Sequence, residues 1–153
     1  MQLRGTHAAI AGKITLPPIH DANLTLRFFG DDLDPEYLTE RLGCPPDDFS
    51  VKGDTATSES GATSVSATGR WLLRASDLYA NDIEMQIAEL LDTVTDDLTV
   101  WHDVTTRYQA DMVVGLFMQA GNESFTLSPG AVGALAVRGL ALHFDIYDHG
   151  ITG

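Results

Sequence analysis

The sequence predicts an α+β domain in which a mixed or antiparallel sheet carries helices on one face. Three observations lead there. Apolar residues alternate with period two at 24–28, 112–118 and 140–146, the mark of half-buried strands. Amphipathic stripes at helical spacing lie between them, the clearest being Ile83, Ile87, Leu90, Leu91 and Val94. A chain of 153 residues with 44% hydrophobic content can also bury one core without disulfides or metal. Helices interleaved with hairpin-like strands suit a two-layer sandwich. A ferredoxin-like connectivity with a weak internal duplication is the expected topology.

Residues 1–21 show no sustained period and contain Pro17-Pro18, so they read as a flexible lead-in to a single domain over 22–150. The first strand follows, with Leu24, Leu26 and Phe28 alternating with Thr25, Arg27 and Phe29. Gly30-Asp31-Asp32 turns the chain. Asp34 can accept an orphan N–H as N-cap, and Pro35 sits where its missing donor costs nothing. Leu33 and Leu38 hold the positions of a hydrophobic staple, Gly43 can end the helix in the left-handed region, and Cys44-Pro45-Pro46 blocks continuation.

Residues 47–68 are rich in Ser, Thr, Gly and Ala. Phe49 and Val51 can form a short strand, but 55–68 lacks the apolar surface to offset ordering and reads as a mobile polar loop. Order returns with a short strand from Gly69 to Arg74. Asn81 is the expected N-cap of a helix over 82–94. Asp96-Asp97 opens the next, with Leu98, Trp101, Thr105 and Tyr108 at helical spacing and Val104 flanking them. Residues 111–119 read as a strand, and Ala120-Gly121-Asn122 as a hairpin loop returning into a strand at 123–127. Ser128 then caps, Pro129 opens, Val132, Leu135 and Ala136 face inward, and Gly139 stops a short helix before the last strand. That repeats the device of Asp34, Pro35 and Gly43, which is the basis for the duplication.

A net charge of -13 sets nucleic acid and anionic membranes aside as partners, because both are bound through Lys and Arg. It would draw in a basic protein partner, although a plainly soluble acidic surface, set by genome composition or adaptation to salt, is the more ordinary reading. A single cysteine, Cys44, excludes an internal disulfide and suits a reducing cytosol. The N-terminus lacks the pattern of a signal peptide, and no apolar run approaches the roughly 20 residues of a membrane span. A cytoplasmic protein is expected.

The run 26–43, with Gly30-Asp31-Asp32-Leu33-Asp34-Pro35 and Leu42-Gly43, resembles a family of domains of unknown function numbered 4279. Lys52-Gly53-Asp54, Gly69-Arg70-Trp71 and Asp145-Ile146-Tyr147 match it in order, so the resemblance spans about residues 23–148. It implies a small bacterial α+β domain and no particular activity.

Two groups of residues are candidate binding sites. Lys52, Asp54, Arg70 and Trp71 combine a glycine turn, both charges and a stacking face, and with the polar loop they could line a groove for a peptide or small ligand. His143, Asp145 and Tyr147 share one face of the last strand, where histidine and carboxylate could make an acid/base pair or hold a metal. The ordinary roles are a tight turn with a core tryptophan, and the solvated face of a terminal strand. The acids Asp31, Asp32, Asp34 and Glu36 belong at a helix N-terminus by capping and dipole, and their spacing does not fit a calcium loop. No catalytic residue, metal or cofactor is expected: serines 58, 60, 64 and 66 lack a nucleophile-elbow pattern, and Cys44 lies away from any helix N-terminus. The favoured function is a non-enzymatic protein-interaction domain, immunity- or antitoxin-like in its most concrete form. The alternatives are a small-ligand or enzymatic pocket near Lys52, Asp54 and Trp71, and a self-associating structural domain.

Overall fold

Ten residues of alternating character make the first strand the axis of the sheet. The structure, a computed structural model, describes residues 19–148. Strand β1 (Asp21–Gly30) buries Ala22, Leu24, Leu26 and Phe28 and turns Asn23, Thr25, Arg27 and Phe29 to the opposite face. It pairs antiparallel on both sides, with β5 (Gly69–Arg74) and with β6 (Gln109–Met118). Outside β5 lies the short antiparallel β2 (Asp48–Ser50), and outside β6 the parallel β7 (Ala141–Asp148). The sheet is therefore mixed, in the order β2-β5-β1-β6-β7.

Connections explain that order. Helix α1 (Pro35–Leu42) joins β1 to β2, which run parallel with β5 inserted between them, a split β-α-β unit. Helices α2 (Ile83–Thr93) and α3 (Leu98–Arg107) carry the chain from β5 to β6. Helix α4 (Pro129–Val137) makes the crossover that a parallel β6–β7 pair requires. The buried residues of all four helices join the inward residues of β1, β5 and β6 in one core. The other face of the sheet is not covered by any helix among the described residues.

Capping chemistry reads through to the structure. The Asp34 carboxylate accepts from the N–H groups of Glu36 and Tyr37, Leu33 and Leu38 are both buried, and Gly43 takes a φ of 75°. Ser128 accepts from Ala131 N–H, and Gly139 has a φ of 73°. Asp82, not Asn81, caps α2, since its side chain reaches Met85 N–H. Buried Gln86 on α2 breaks the apolar stripe for a reason that is tertiary: its amide donates to the carbonyls of Ala22 and Tyr79, each at 2.8 Å. It thereby pins the 3₁₀ turn Asp77–Tyr79 and the start of β1 to the helix.

Several expectations need correction. Residues 55–68 do not form one irregular loop: β3 (Thr55–Thr57) and β4 (Thr63–Val65) pair as a small, fully exposed hairpin closed at Gly61, with a φ of 85°. The lead-in lies mostly outside the described residues, but Ile19 is already buried in the core and Asp21 begins β1. No strand forms at 123–127. There the buried Glu123 carboxylate accepts from Gln119 N–H at 2.5 Å and Ala120 N–H at 2.7 Å, which closes the loop locally and frees the chain to cross over. In α3 the core stripe is Val100, Trp101, Val104 and the flanking Tyr108, while Leu98 is exposed. In α4 only Leu135 is buried, and Val132 and Ala136 face solvent.

The β1–β5 contact tolerates no side chain where two glycines face each other. Gly30 and Gly69 are cross-strand partners, and a Cβ on Gly69 would lie 2.8 Å from the Gly30 carbonyl oxygen and 2.9 Å from Leu33 Cβ. Gly69→Ala must push backbone apart and should cost about 1–3 kcal/mol in urea unfolding. Gly121→Ala, whose Cβ meets nothing within 4 Å, should be near neutral. Equal stability of the two variants would contradict this packing.

Candidate functional site

An open concavity lies where α1 meets the edge strand β2. Helix α1 is anchored through Leu38 and Leu42, which leaves Asp34, Pro35, Glu36, Thr39 and Glu40 along its outer side. Strand β2 pairs Phe49 opposite Trp71 and ends the sheet, so Phe49 keeps 57% of its surface exposed and Val51 keeps 41%. Between them runs an open groove of about 450 Å³, also lined by Pro46. Its floor is apolar and its helix side is acidic. Glu36 and Glu40 form no ion pair among the described residues, although like charges four apart on a helix repel.

The first predicted group is dispersed around this groove rather than forming one. Trp71 is fully buried, edge-on to Phe28, and its indole N–H donates to Thr39 Oγ1 at 3.1 Å. It braces the groove wall from beneath and offers no stacking face. Lys52 pairs with Asp31 at 2.9 Å, across from the first turn, and not with Asp54. Asp54 closes its own turn by accepting from Val51 N–H at 2.8 Å, with Gly53 at a φ of 92°. Arg70 pairs with Asp48 at 2.9 Å on the sheet face away from the helices. What sequence reasoning missed is Phe49 as an exposed anchor. Its flanking Pro46 and Val51 were a signal, but their meeting with α1 depends on β2 pairing to β5.

The second predicted group does share one face of β7. The Tyr147 hydroxyl donates to Asp145 at 2.6 Å, which pushes the phenol up from its ordinary value, and the ring stacks on Phe117 with centroids 4.9 Å apart. His143 is exposed on the same face, two residues from Asp145. This face continues across the sheet to the bidentate pair of Arg27 with Asp111, at 2.8 and 2.7 Å. That hydrogen-bonded pairing raises the Arg27 pKa against the opposing effect of burial. The apolar side of β7 is less covered than its pattern implies: Phe144 and Ile146 are 37% and 59% exposed.

Among the described residues no three His, Cys, Asp or Glu side chains converge as a metal site, and no helix is long and apolar enough to cross a membrane. Asp31, in the acidic first turn, is occupied by Lys52 and Thr68, whose hydrogen bonds lower its pKa. Burial, then the charge of Asp47, pushes the Cys44 thiol up, which suits a packing role. The basic residues are largely committed within the fold. Arg27, Arg41, Lys52, Arg70 and Arg107 each sit in an ion pair, and Arg138 donates to the Ala134 carbonyl on its own helix. The negative surface is thus left to face outward.

The family model described as "Domain of unknown function (DUF4279)" matches residues 20–149, and the chain belongs to that family. No curated protein and no solved structure matches it.

One ionic cluster beside the groove is testable by pH. The Asp103 carboxylate on α3 accepts from the Tyr37 hydroxyl on α1 and from Arg107 at 2.9 Å, with Arg41 at 3.5 Å. The Tyr37 bond first, then Arg107, hold this carboxyl below its ordinary range despite partial burial. A lowered folded pKa means stability that is present above the unfolded value of about 4 and lost as pH falls through the folded one. Asp103→Asn should therefore lower Tm at neutral pH, with the gap to the parent closing as pH drops below about 4. A constant gap down to acid pH would remove the charge from this account.

Proposed function

We propose that this member of the family is a bacterial, cytosolic protein-interaction domain without catalytic residues, and that its α1–β2 groove seats a short segment bearing an apolar anchor flanked by Lys or Arg. The observation that carries the reading is the pairing of an apolar floor, Pro35, Pro46, Phe49 and Val51, with an acidic rim, Glu36 and Glu40, that no cation of the described fold neutralises. An anchor in a desolvated pocket supplies most of the affinity in such contacts, and complementary charge supplies rate and selectivity. An immunity- or antitoxin-like role against a basic protein is the concrete form that fits the net charge of -13.

Affinity capture from the native host, at low and high salt, compared between the parent protein and two variants, tests this. A basic partner should be retained stoichiometrically by the parent, weakened by salt, and lost about tenfold or more in affinity with Glu36→Lys/Glu40→Lys and with Phe49→Asp. Equal retention by both variants, or no stoichiometric partner at either salt, would overturn the reading. The groove volume also lies within the range of small-molecule sites. A small apolar ligand would respond to Phe49→Asp while ignoring salt and the charge reversal.

A further inference from the structure

The sheet ends on one side in a strand that has the features of an unsatisfied interface. Most edge strands are short, broken by proline, or guarded by lysine. β2, at the other edge, has three residues. β7 has eight, ALHFDIYD, with no proline, no lysine and no glycine, and among the described residues its strand pairing is with β6 on one side. Apolar surface collects beside it. Phe144 and Ile146 are exposed on its helix side, Phe125 packs on Phe144 with centroids 5.5 Å apart, and Phe125 is itself 39% exposed. The adjoining α4, PGAVGALAV, is built entirely of apolar residues, yet buries only Leu135 and leaves Val132 and Val137 in solvent. A helix apolar on every side is ordinarily enclosed on every side.

We infer that β7 pairs antiparallel with β7 of a second copy of this chain, about a two-fold axis through Phe144, joining two five-stranded sheets into one. The occupant follows from the strand's own sequence. A two-fold perpendicular to the sheet sets residues opposite one another whose numbers are symmetric about the central one. Centred on Phe144, the register places His143 opposite Asp145 twice, Leu142 opposite Ile146 twice, and Ala141 opposite Tyr147 twice, with Phe144 against itself. Each pair is complementary: a histidine with a carboxylate, two aliphatic side chains, a small residue with a large ring, and two phenylalanines on the helix side. The neighbouring register, centred on Asp145, would set two carboxylates face to face, which is unfavourable between directly opposed residues. Centres at His143 or Ile146 would pair fewer residues. The strand is thus self-complementary in one register, and the helix layers of both copies fall on the same side, where the exposed residues of α4 lie.

Light scattering coupled to size exclusion, over a wide dilution series, reads the outcome. The parent should show twice the 16.5 kDa chain mass and dissociate on dilution. Phe144→Lys and His143→Asp should each give a monomer that keeps the far-UV dichroism of the parent, with a lower Tm expected as the dimer is lost and, for Phe144→Lys, as its contact with Phe125 is removed. The exchanged double variant His143→Asp/Asp145→His should recover the dimer. In a Cys44→Ser background, Phe144→Cys should cross-link to a covalent dimer on mild oxidation, since directly opposed Cα atoms lie about 4.5–5.5 Å apart, within disulfide reach. A monomer at every concentration, or a dimer indifferent to Phe144→Lys, would overturn the inference, and a dimer that the exchanged pair does not restore would overturn its register. The substitutions in β7 lie at the opposite edge from the α1–β2 groove, so the light-scattering result stands or falls apart from partner binding.

Discussion

Phe28 is the residue through which the layers of this domain are joined. Its ring meets Trp71 of β5 edge-on, with centroids 5.7 Å apart at 80°, and stacks on Trp101 of α3 at 6.3 Å and 25°. All three are fully buried. Each indole also spends its N–H on a neighbouring element: Trp71 on Thr39 of α1, and Trp101 on the Thr95 carbonyl ahead of α3. Arg138, at the end of α4, lies over the Trp101 ring at 5.9 Å. One aromatic cluster thereby connects β1, β5, α1, α3 and α4. Aromatic contacts of this geometry contribute about 0.5–1.5 kcal/mol each beyond their buried area. The cluster also explains why Trp71 cannot serve a ligand: its ring and its N–H are both already engaged.

The polar contacts follow the same division between layers. Tyr37, Arg41, Asp103 and Arg107 tie α1 to α3 at the rim of the helix layer, with the Arg107 guanidinium 4.8 Å above the Tyr37 ring. Ser128 N–H donates to Glu84 at 2.6 Å and ties α4 to α2. On the uncovered side, Arg27 and Asp111 join β1 to β6 in a bidentate pair that is mostly withdrawn from water. Exposed pairs such as Lys52–Asp31 and Arg70–Asp48 add little stability, because water screens them. Their consequence is electrostatic: they engage Lys52 and Arg70 within the fold.

What could be read in the sequence was local, and what could not was pairing. The α1 boundaries follow from Asp34, Pro35 and Gly43 because capping is a contest among near neighbours, and β1 follows from strict alternation. Ser128, Pro129 and Gly139 repeat that device around α4, although the strands flanking each helix are connected differently: β1 and β2 enclose β5, whereas β6 and β7 are adjacent. The β3–β4 hairpin escaped notice because its residues are small, polar and exposed, so no apolar period marks it. The segment 123–127 reads as a strand because Ala120-Gly121-Asn122 resembles a hairpin loop; burial of the Glu123 carboxylate against two backbone N–H groups has no signature in spacing. Trp71 was legible as a strand residue, but whether its ring faced the core or a groove depended on register. His143, Asp145 and Tyr147 were correctly placed on one face, while the exposure of Phe144 and Ile146 behind them depended on how little of β7 is covered by α4.

The two surfaces singled out by geometry lie at opposite edges of one sheet, and that separation constrains how they could act together. With strands spaced about 4.8 Å apart, β2 and β7 are roughly 19 Å from each other across the sheet. A two-fold at β7 would extend the sheet to ten strands and set the two α1–β2 grooves about 43 Å apart at its far ends, on the same side as the helices. Such a span is too long for one short peptide to bridge, so each groove would take its own segment. Two segments carried on one partner, or on a partner that is itself a dimer, would bind with the gain of a second, intramolecular contact. A rigid sheet holds that spacing without the entropic cost of a flexible linker. In this arrangement the edge strand would not compete with the groove; it would fix the distance at which two grooves are presented.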